Sequence, residues 1–330
     1  MKSIRIIKLN FVLTIFIILL HGHVPVGESK LCLTNSPLWY DLFEHFIVNV
    51  FCTAVPTFFA ISAYLLFRNY NNIFDYKKKV VSRIYSLVIP YLCFSLFFLV
   101  LFNILFFIKD GEIRTTSLYT ILMDTYTCKY DSPIWYIRAL FYFVLCSPIL
   151  LYIFKINSIY INVLILLISL IVPLFFNIPY DTFFYWLPIL IIFSYIGYKY
   201  PNLFFKEKLV GKNISIISLV VFVFLCCVMN EDEDKSYEYW IFRMILPFLF
   251  IMIMELFNFK EKPYFNMTFF WYMLHGAFPP IAYQIFNPTT GNLWYVILTP
   301  VFVTSATILV TLFIKSFFPN LFIFLSGNRK

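Results

Sequence analysis

Ten apolar stretches, at 9–26, 45–67, 84–108, 133–154, 158–177, 183–199, 213–230, 239–258, 267–286 and 293–316, follow one another along the chain with short polar connectors between them. A helix crosses the hydrocarbon core of a bilayer with about 20 mostly apolar residues. In lipid its backbone groups must be satisfied within the segment, which makes runs of this length helical. Composition agrees: 62% of the 330 residues are hydrophobic and 13% are charged, against about 25% charged in soluble domains. A soluble fold of this size leaves too much surface in water to hide so much apolar sequence. The expected architecture is all-α: a polytopic membrane protein of about ten transmembrane helices, forming one integral membrane domain over 1–330. Neither an internal repeat nor a glycine-rich phosphate loop interrupts it.

Charge sets the orientation. Lys and Arg accumulate on the cytoplasmic side of membrane proteins. With the N-terminus inside and every run crossing once, 18 of the 25 Lys and Arg residues fall in cytoplasmic segments, among them Arg5, Lys8, Arg68, Lys79 and Arg83. Five fall outside (Lys30, Lys109, Arg114, Lys129 and Lys235), while Arg138 and Arg243 sit near outer helix ends. The acidic run Glu231-Asp232-Glu233-Asp234 also falls outside. Both termini are therefore expected in the cytoplasm. The net charge of +8 is spread over these connectors and forms no basic face for nucleic acid.

The seven cysteines follow no metal-ligand spacing, and the adjacent Cys226-Cys227 lacks a second pair or a neighbouring His. Cys52, Cys93 and Cys146 lie in apolar runs, where a thiol is a small hydrophobe. Cys32 and Cys128 fall in loops and are the pair that a disulfide would join. The first apolar run has the outline of a signal peptide, but Val24-Pro25-Val26-Gly27-Glu28 offers no small-x-small cleavage site. It is expected to stay as helix 1. Within 109–132, the stretch 117–123 is too short and too polar to cross, and an interfacial helix is expected there.

Ionisable groups inside a membrane are costly and mark candidate sites. "IFIILLHGHV" (15–24) ends an apolar run on two histidines. His21 lies about 20 Å along helix 1, in the expected outer half, and His23 lies nearer the surface. His275 falls near mid-depth of the ninth run, Arg138 near the outer end of the fourth, and Glu255 and Arg243 at opposite ends of the eighth. His45 sits at a solvated helix start. On spacing alone each histidine has a structural reading too. These residues amount to a polytopic protein with a polar site leaning outward.

Five stretches, in order, resemble the membrane acyltransferase 3 family, which contains many bacterial polysaccharide O-acetyltransferases. "AVPTFFAISAYLLF" (54–67) is similar to its Val-Pro-x-Phe-Phe…Ser-Gly-Tyr helix, with Ala63 in place of the Gly. "DYKKKVVSRIYSLVIPYLCFS" (75–95) is similar to its basic loop and Pro-Tyr helix. "SPIWYIRALFYFVLCSPIL" (132–150), "FFYWLPILIIFSYIGYKY" (183–200) and "TFFWYMLHG" (268–276) resemble later segments, the last a Tyr-x-x-His helix. The family pairs a helix 1 Arg with a His eleven positions later; His21 takes the His place, and Asn10 stands where the Arg is expected.

The resemblance implies transfer of an acetyl group from acetyl-CoA to a hydroxyl of a surface polysaccharide or lipid-linked sugar, in a bacterial cytoplasmic membrane. For that reaction His21 is expected as general base or acyl carrier, Arg138 as stabiliser of developing oxyanion charge or of an anionic group on a substrate, and His275 as a residue that orients substrate or relays a proton. Lys79 and Arg83, near the family's paired arginines, are the candidates for holding CoA phosphates. A glycan transporter and a catalytically inactive family member are the competing readings. Only 8 glycines and no paired halves argue against transport.

Overall fold

The protein is described as a computed structural model that covers residues 4–23, 38–130, 132–176, 178–206, 208–229, 237–258, 260, 262–286 and 294–327. Every regular element in them is helical. Cys32, the 24–28 segment, Lys30, Lys235 and the 231–234 acidic run lie outside the described residues, as does the His23 side chain. The Cys32–Cys128 pairing falls there with them.

Helix α1 (Ile4–His23) enters the centre of a bundle. α2 (Leu38–Cys52) and α3 (Ala54–Phe67) form one bent span. The bend sits at Thr53, where Pro56 has no N–H to return to the preceding turn. α4 (Ile73–Arg83) starts on a capping box: Asn72 Oδ1 accepts from the Asp75 N–H at 3.0 Å, and Asp75 Oδ2 accepts from the Asn72 N–H at 3.2 Å. It runs through a π turn at Ile84–Val88 into α5 (Ile89–Asp110). Pro90 is the cause, because the carbonyl one turn earlier has lost its donor. α6 (Leu118–Thr127) is the short helix expected after the third run.

α7 (Trp135–Ile156), α8 (Ile159–Phe175), α9 (Leu187–Lys199), α10 (Lys212–Val228) and α11 (Tyr237–Ile253) follow. α12 (Thr268–Leu274) and α13 (Phe278–Phe286) flank a 3-10 turn at His275–Ala277. α14 (Trp294–Phe317) and the short α15 (Pro319–Leu325) complete the chain.

Among the described residues, six helices are long and apolar enough to cross a membrane: Ile4–Gly22, His45–Phe67, Ile73–Ile108, Trp135–Ile156, Tyr237–Leu256 and Leu298–Phe317. The fifth, sixth and seventh apolar runs fold as shorter apolar helices, Ile159–Pro173, Leu187–Lys199 and Lys212–Val228. The ninth run is not the single helix its sequence suggests. Pro279 and Pro280 remove the donors that would close on the carbonyls of His275 and Gly276, and the helix breaks there into a 3-10 turn. Along α5, α8, α10 and α14 large apolar side chains such as Phe97, Ile104, Leu164, Ile168, Phe224 and Leu309 face outward. An apolar exterior of this extent requires lipid around it.

Inside, the buried side chains join into one contiguous core, with Leu9, Leu13, Phe59, Tyr64, Phe67 and Phe270 wholly enclosed. α3 lies against α9, and the approach is set by Gly197. A Cβ there would stand 2.4 Å from the Tyr64 carbonyl oxygen, closer than any real contact. The Tyr64 hydroxyl, at the far end of the same residue, donates to the Pro201 carbonyl at 2.8 Å. Gly197→Ala must part the two helices, and we expect a loss of about 3 kcal/mol or more, seen as a lower melting temperature of the purified protein. A second clamp is Asn49, fully buried: its Nδ2 donates to the carbonyls of Cys226 (3.0 Å) and Met229 (2.8 Å), and its Oδ1 accepts from the Tyr239 hydroxyl (3.1 Å). It ties α2 to α10 and α11 through groups that would otherwise be desolvated without partners.

Candidate active site

A cavity of about 380 Å³ opens between the beginning of α1, the end of α3, the end of α4 and α7. Two guanidinium groups face it, from Arg68 and Arg83. Arg68 follows the last residue of α3, and its guanidinium carbon lies 3.7 Å from the centre of the Phe205 ring. That stacking holds the cation flat while its buried Nε keeps no hydrogen-bond partner among the described residues. Arg83 closes α4 at the start of the π turn. Among the described residues, no Asp or Glu lines the chamber. Asn10, Asn266 and Ser62 add neutral hydrogen-bonding groups. Two unopposed cations with amide and hydroxyl donors make a receptor for an anionic group with several oxygens.

Lys79 is one helical turn before Arg83 and does not line this chamber. Its Nζ donates to the Arg68 carbonyl at 3.2 Å and lies 5.6 Å from the Tyr70 ring centre. It caps the end of α3 and so supports Arg68 from behind. Of the two cations expected to bind a donor, the structure brings only Arg83 to the cavity. Arg68 takes the second place. The sequence marks it only as a charge at the end of the "AVPTFFAISAYLLF" helix.

Away from the two arginines the cavity wall is aromatic: Phe58, Tyr136 and Tyr272, with ring centres 5.9–6.2 Å apart. The Tyr136 hydroxyl donates to the Phe58 carbonyl (3.0 Å) and meets Ser62 Oγ at 2.8 Å, while Tyr272 donates to the Pro133 carbonyl at 2.5 Å. These bonds fix the rings. Tyr272 is also 5.8 Å, centre to centre, from His275.

His275 is completely buried, and its ring centre is 5.3 Å from that of His21, with the planes inclined by 40°. His21 is half-buried. The two histidines picked out from different apolar runs are therefore neighbours. Gly22 makes this possible: α1 passes α14 so closely beside His21 that a Cβ on Gly22 would lie 2.9 Å from Pro300 Cα. His275 is held by the 3-10 turn, where its Nδ1 bonds the Tyr272 carbonyl at 2.7 Å. Of the pair, His275 is wholly enclosed and His21 is the less buried.

Arg138 stands elsewhere. It is two residues from Tyr136 on α7, so the helical repeat turns it about 200° away. Its Nη2 pairs with Asp181 at 3.1 Å and its Nη1 donates to the Tyr126 carbonyl at 3.2 Å. A guanidinium committed to a carboxylate and a carbonyl is not aimed at a developing oxyanion, and the oxyanion role expected of it has no geometric support. Such a partly exposed pair is worth about 1 kcal/mol or less. Arg138→Ala is thus expected to leave turnover within about twofold of the parent protein while modestly lowering its melting temperature.

Among the remaining ionisable groups, Glu255 pairs with Arg5 at 2.6 Å, with both side chains nearly enclosed. Arg5 is thereby engaged by the 3-10 turn just past the C-terminal end of α11, so its charge is not offered beside Asn10. His45 Nε2 lies 3.4 Å from Asn49 Nδ2 and belongs to the clamp described above.

Comparison with known proteins bears on what this arrangement does. No curated protein and no solved structure matches the chain. The family model described as an acyltransferase domain, that of acyltransferase 3, matches residues 9–326. The match takes in α1 from its sixth residue onward, with Asn10 and His21, both chamber arginines and His275, essentially the whole helical bundle. With its apolar exterior, its membrane-length helices and this match, the chain is a multi-pass membrane protein and a member of the acyltransferase 3 family.

Proposed function

We propose that this protein transfers an acetyl group from acetyl-CoA to a hydroxyl of a surface polysaccharide or lipid-linked sugar. The observation that carries the reading is the spacing of the two parts of the site along one helix. Asn10 marks the cationic chamber and His21 the imidazole pair, eleven residues apart, which is about 16 Å of helix rise. A donor with a polyphosphate head and a reactive thioester at the end of a long thin arm suits that separation. Arg68 and Arg83 hold the phosphates, the arm passes the Phe58–Tyr136–Tyr272 wall, and the thioester arrives beside His21. On the positive-inside orientation, with ten crossings and both termini in the cytoplasm, the chamber faces the compartment that holds acetyl-CoA. His21 then lies towards the side where a glycan is presented, in a bacterial inner membrane.

At His21 the chemistry is general base catalysis. The neutral imidazole takes the proton from the acceptor hydroxyl as its oxygen bonds to the thioester carbonyl carbon. The C–S bond then breaks, and the imidazolium returns the proton to the departing thiolate. The direct test is purified protein in nanodiscs given acetyl-CoA labelled in the acetyl group and a lipid-linked oligosaccharide. Label in the oligosaccharide as an alkali-labile ester is the expected result. Label carried on protein denatured at neutral pH before acceptor is added, and absent from His21→Ala, would mark a two-step route through acyl-His21. Movement of the oligosaccharide across the membrane without ester formation would instead identify a transporter.

A further inference from the structure

His275 offers an acceptor that nothing among the described residues uses. A carbonyl oxygen only accepts hydrogen bonds, so the 2.7 Å contact to Tyr272 requires the proton to be on Nδ1 of His275. The ring is fully buried, and its Nε2 has no partner among the described residues. Protonating Nε2 as well would bury an uncompensated charge. The ring is therefore a neutral Nδ1–H imidazole with a bare Nε2 lone pair. The Tyr272 hydroxyl, the nearest aromatic donor, is already committed to Pro133. His21 is the adjacent ring.

We propose that His275 is the positioning residue of the site, its Nε2 accepting the N–H of His21. The ring centres are 5.3 Å apart, which accommodates one nitrogen–nitrogen hydrogen bond of about 2.9 Å along the line between them. Rotation of His21 about χ2, a broad torsion, closes it. The bond gives His21 a single tautomer, with its second nitrogen unprotonated and free to take a proton. When His21 takes up a proton, the lone pair of His275 steadies the new positive charge through the same bond. A carboxylate does this in hydrolytic triads. Here a neutral acceptor serves, and no ionised group has to be buried beside the pair.

This inference rests on His21 as the reacting base, and the experiment separates the two. The chain has four histidines, so its 15N-histidine spectrum in nanodiscs is assignable by comparison with His21→Phe and His275→Phe. We expect His275 protonated at Nδ1 and bare at Nε2, and both His21 nitrogens shifted in His275→Phe. A His275 protonated at Nε2 would overturn the assignment whatever the activity. In turnover, His275→Phe keeps the ring but removes the acceptor and should lower kcat by about 30- to 100-fold, with the donor KM within about twofold. His275→Gln restores an acceptor oxygen and should recover most of that loss. Equal impairment in both variants, or an effect confined to KM or to protein yield, would show a purely structural residue. If the parent protein forms no ester while the tautomers are as stated, the acyltransferase reading falls and the histidine pair stands.

Discussion

His21→Ala is expected to abolish measurable acetyl transfer, with kcat reduced by about 10³- to 10⁴-fold, the upper part of the range for loss of a positioned general base. The donor KM should stay near that of the parent protein. The chamber that would hold the donor's charged head is built around Asn10, Arg68 and Arg83, about 16 Å away along α1. Folding should survive, since His21 is half-buried at the end of its helix and its removal opens no acceptor beyond Nε2 of the neighbouring His275, which has no other partner among the described residues. Yield in the membrane and melting temperature are the controls. Retention of more than about a tenth of parental kcat would remove His21 from the chemistry.

The second large effect is expected at the chamber. A hydrogen bond to a charged group is worth about 1.5–3 kcal/mol, and each 1.4 kcal/mol is tenfold in an equilibrium. Arg68→Ala and Arg83→Ala should each raise the donor KM by about 10- to 100-fold with kcat little changed, and the double variant should be weaker still. High salt should weaken donor binding in the parent protein and much less in the double variant, because screening acts on the charges that have been removed. Lys79→Ala tests the difference between lining the chamber and supporting it. Its Nζ reaches only the Arg68 carbonyl and the Tyr70 face, so its effect should be smaller than that of either arginine. A Lys79→Ala defect larger than that of Arg68→Ala would contradict this placement. Arg68→Lys should restore little, since an ammonium on a flexible stem neither stacks on Phe205 nor presents a flat fork.

Several features were legible from residue order. Apolar runs separated by basic connectors identify lipid as the solvent and helices as the elements. The break in the ninth run could have been read from His275-Gly276-Ala277-Phe278-Pro279-Pro280, because two consecutive prolines deprive the preceding turn of its donors. Hydrophobicity alone marks only one apolar run at 267–286 and does not report this break. The shorter helices α8, α9 and α10 likewise fall short of their apolar runs, because hydropathy does not report where the hydrogen-bonded ladder begins or ends. His21 was legible as an ionisable group at a counted place in a family pattern, and His275 through its Tyr-x-x-His helix.

The sequence by itself therefore determined the class of solvent, the helical elements, the family resemblance and the two histidines worth watching. Which polar groups work together was decided only by the tertiary structure. Tyr136 and Arg138 are two residues apart, yet one faces the chamber and the other an ion pair with Asp181. Lys79 and Arg83 share a helix face, yet one turn of rise puts the first on the Arg68 carbonyl and the second in the chamber. Arg5, on the same helix as Asn10, is engaged by Glu255 from a 3-10 turn some 250 residues later. The physical reason is common to all of them. A helix turns by about 100° at each residue, so the direction of a side chain follows from how the helix is rotated and packed against its neighbours. That rotation is settled by approaches such as Gly197 on Tyr64 and Gly22 on Pro300, contacts between segments far apart in the chain.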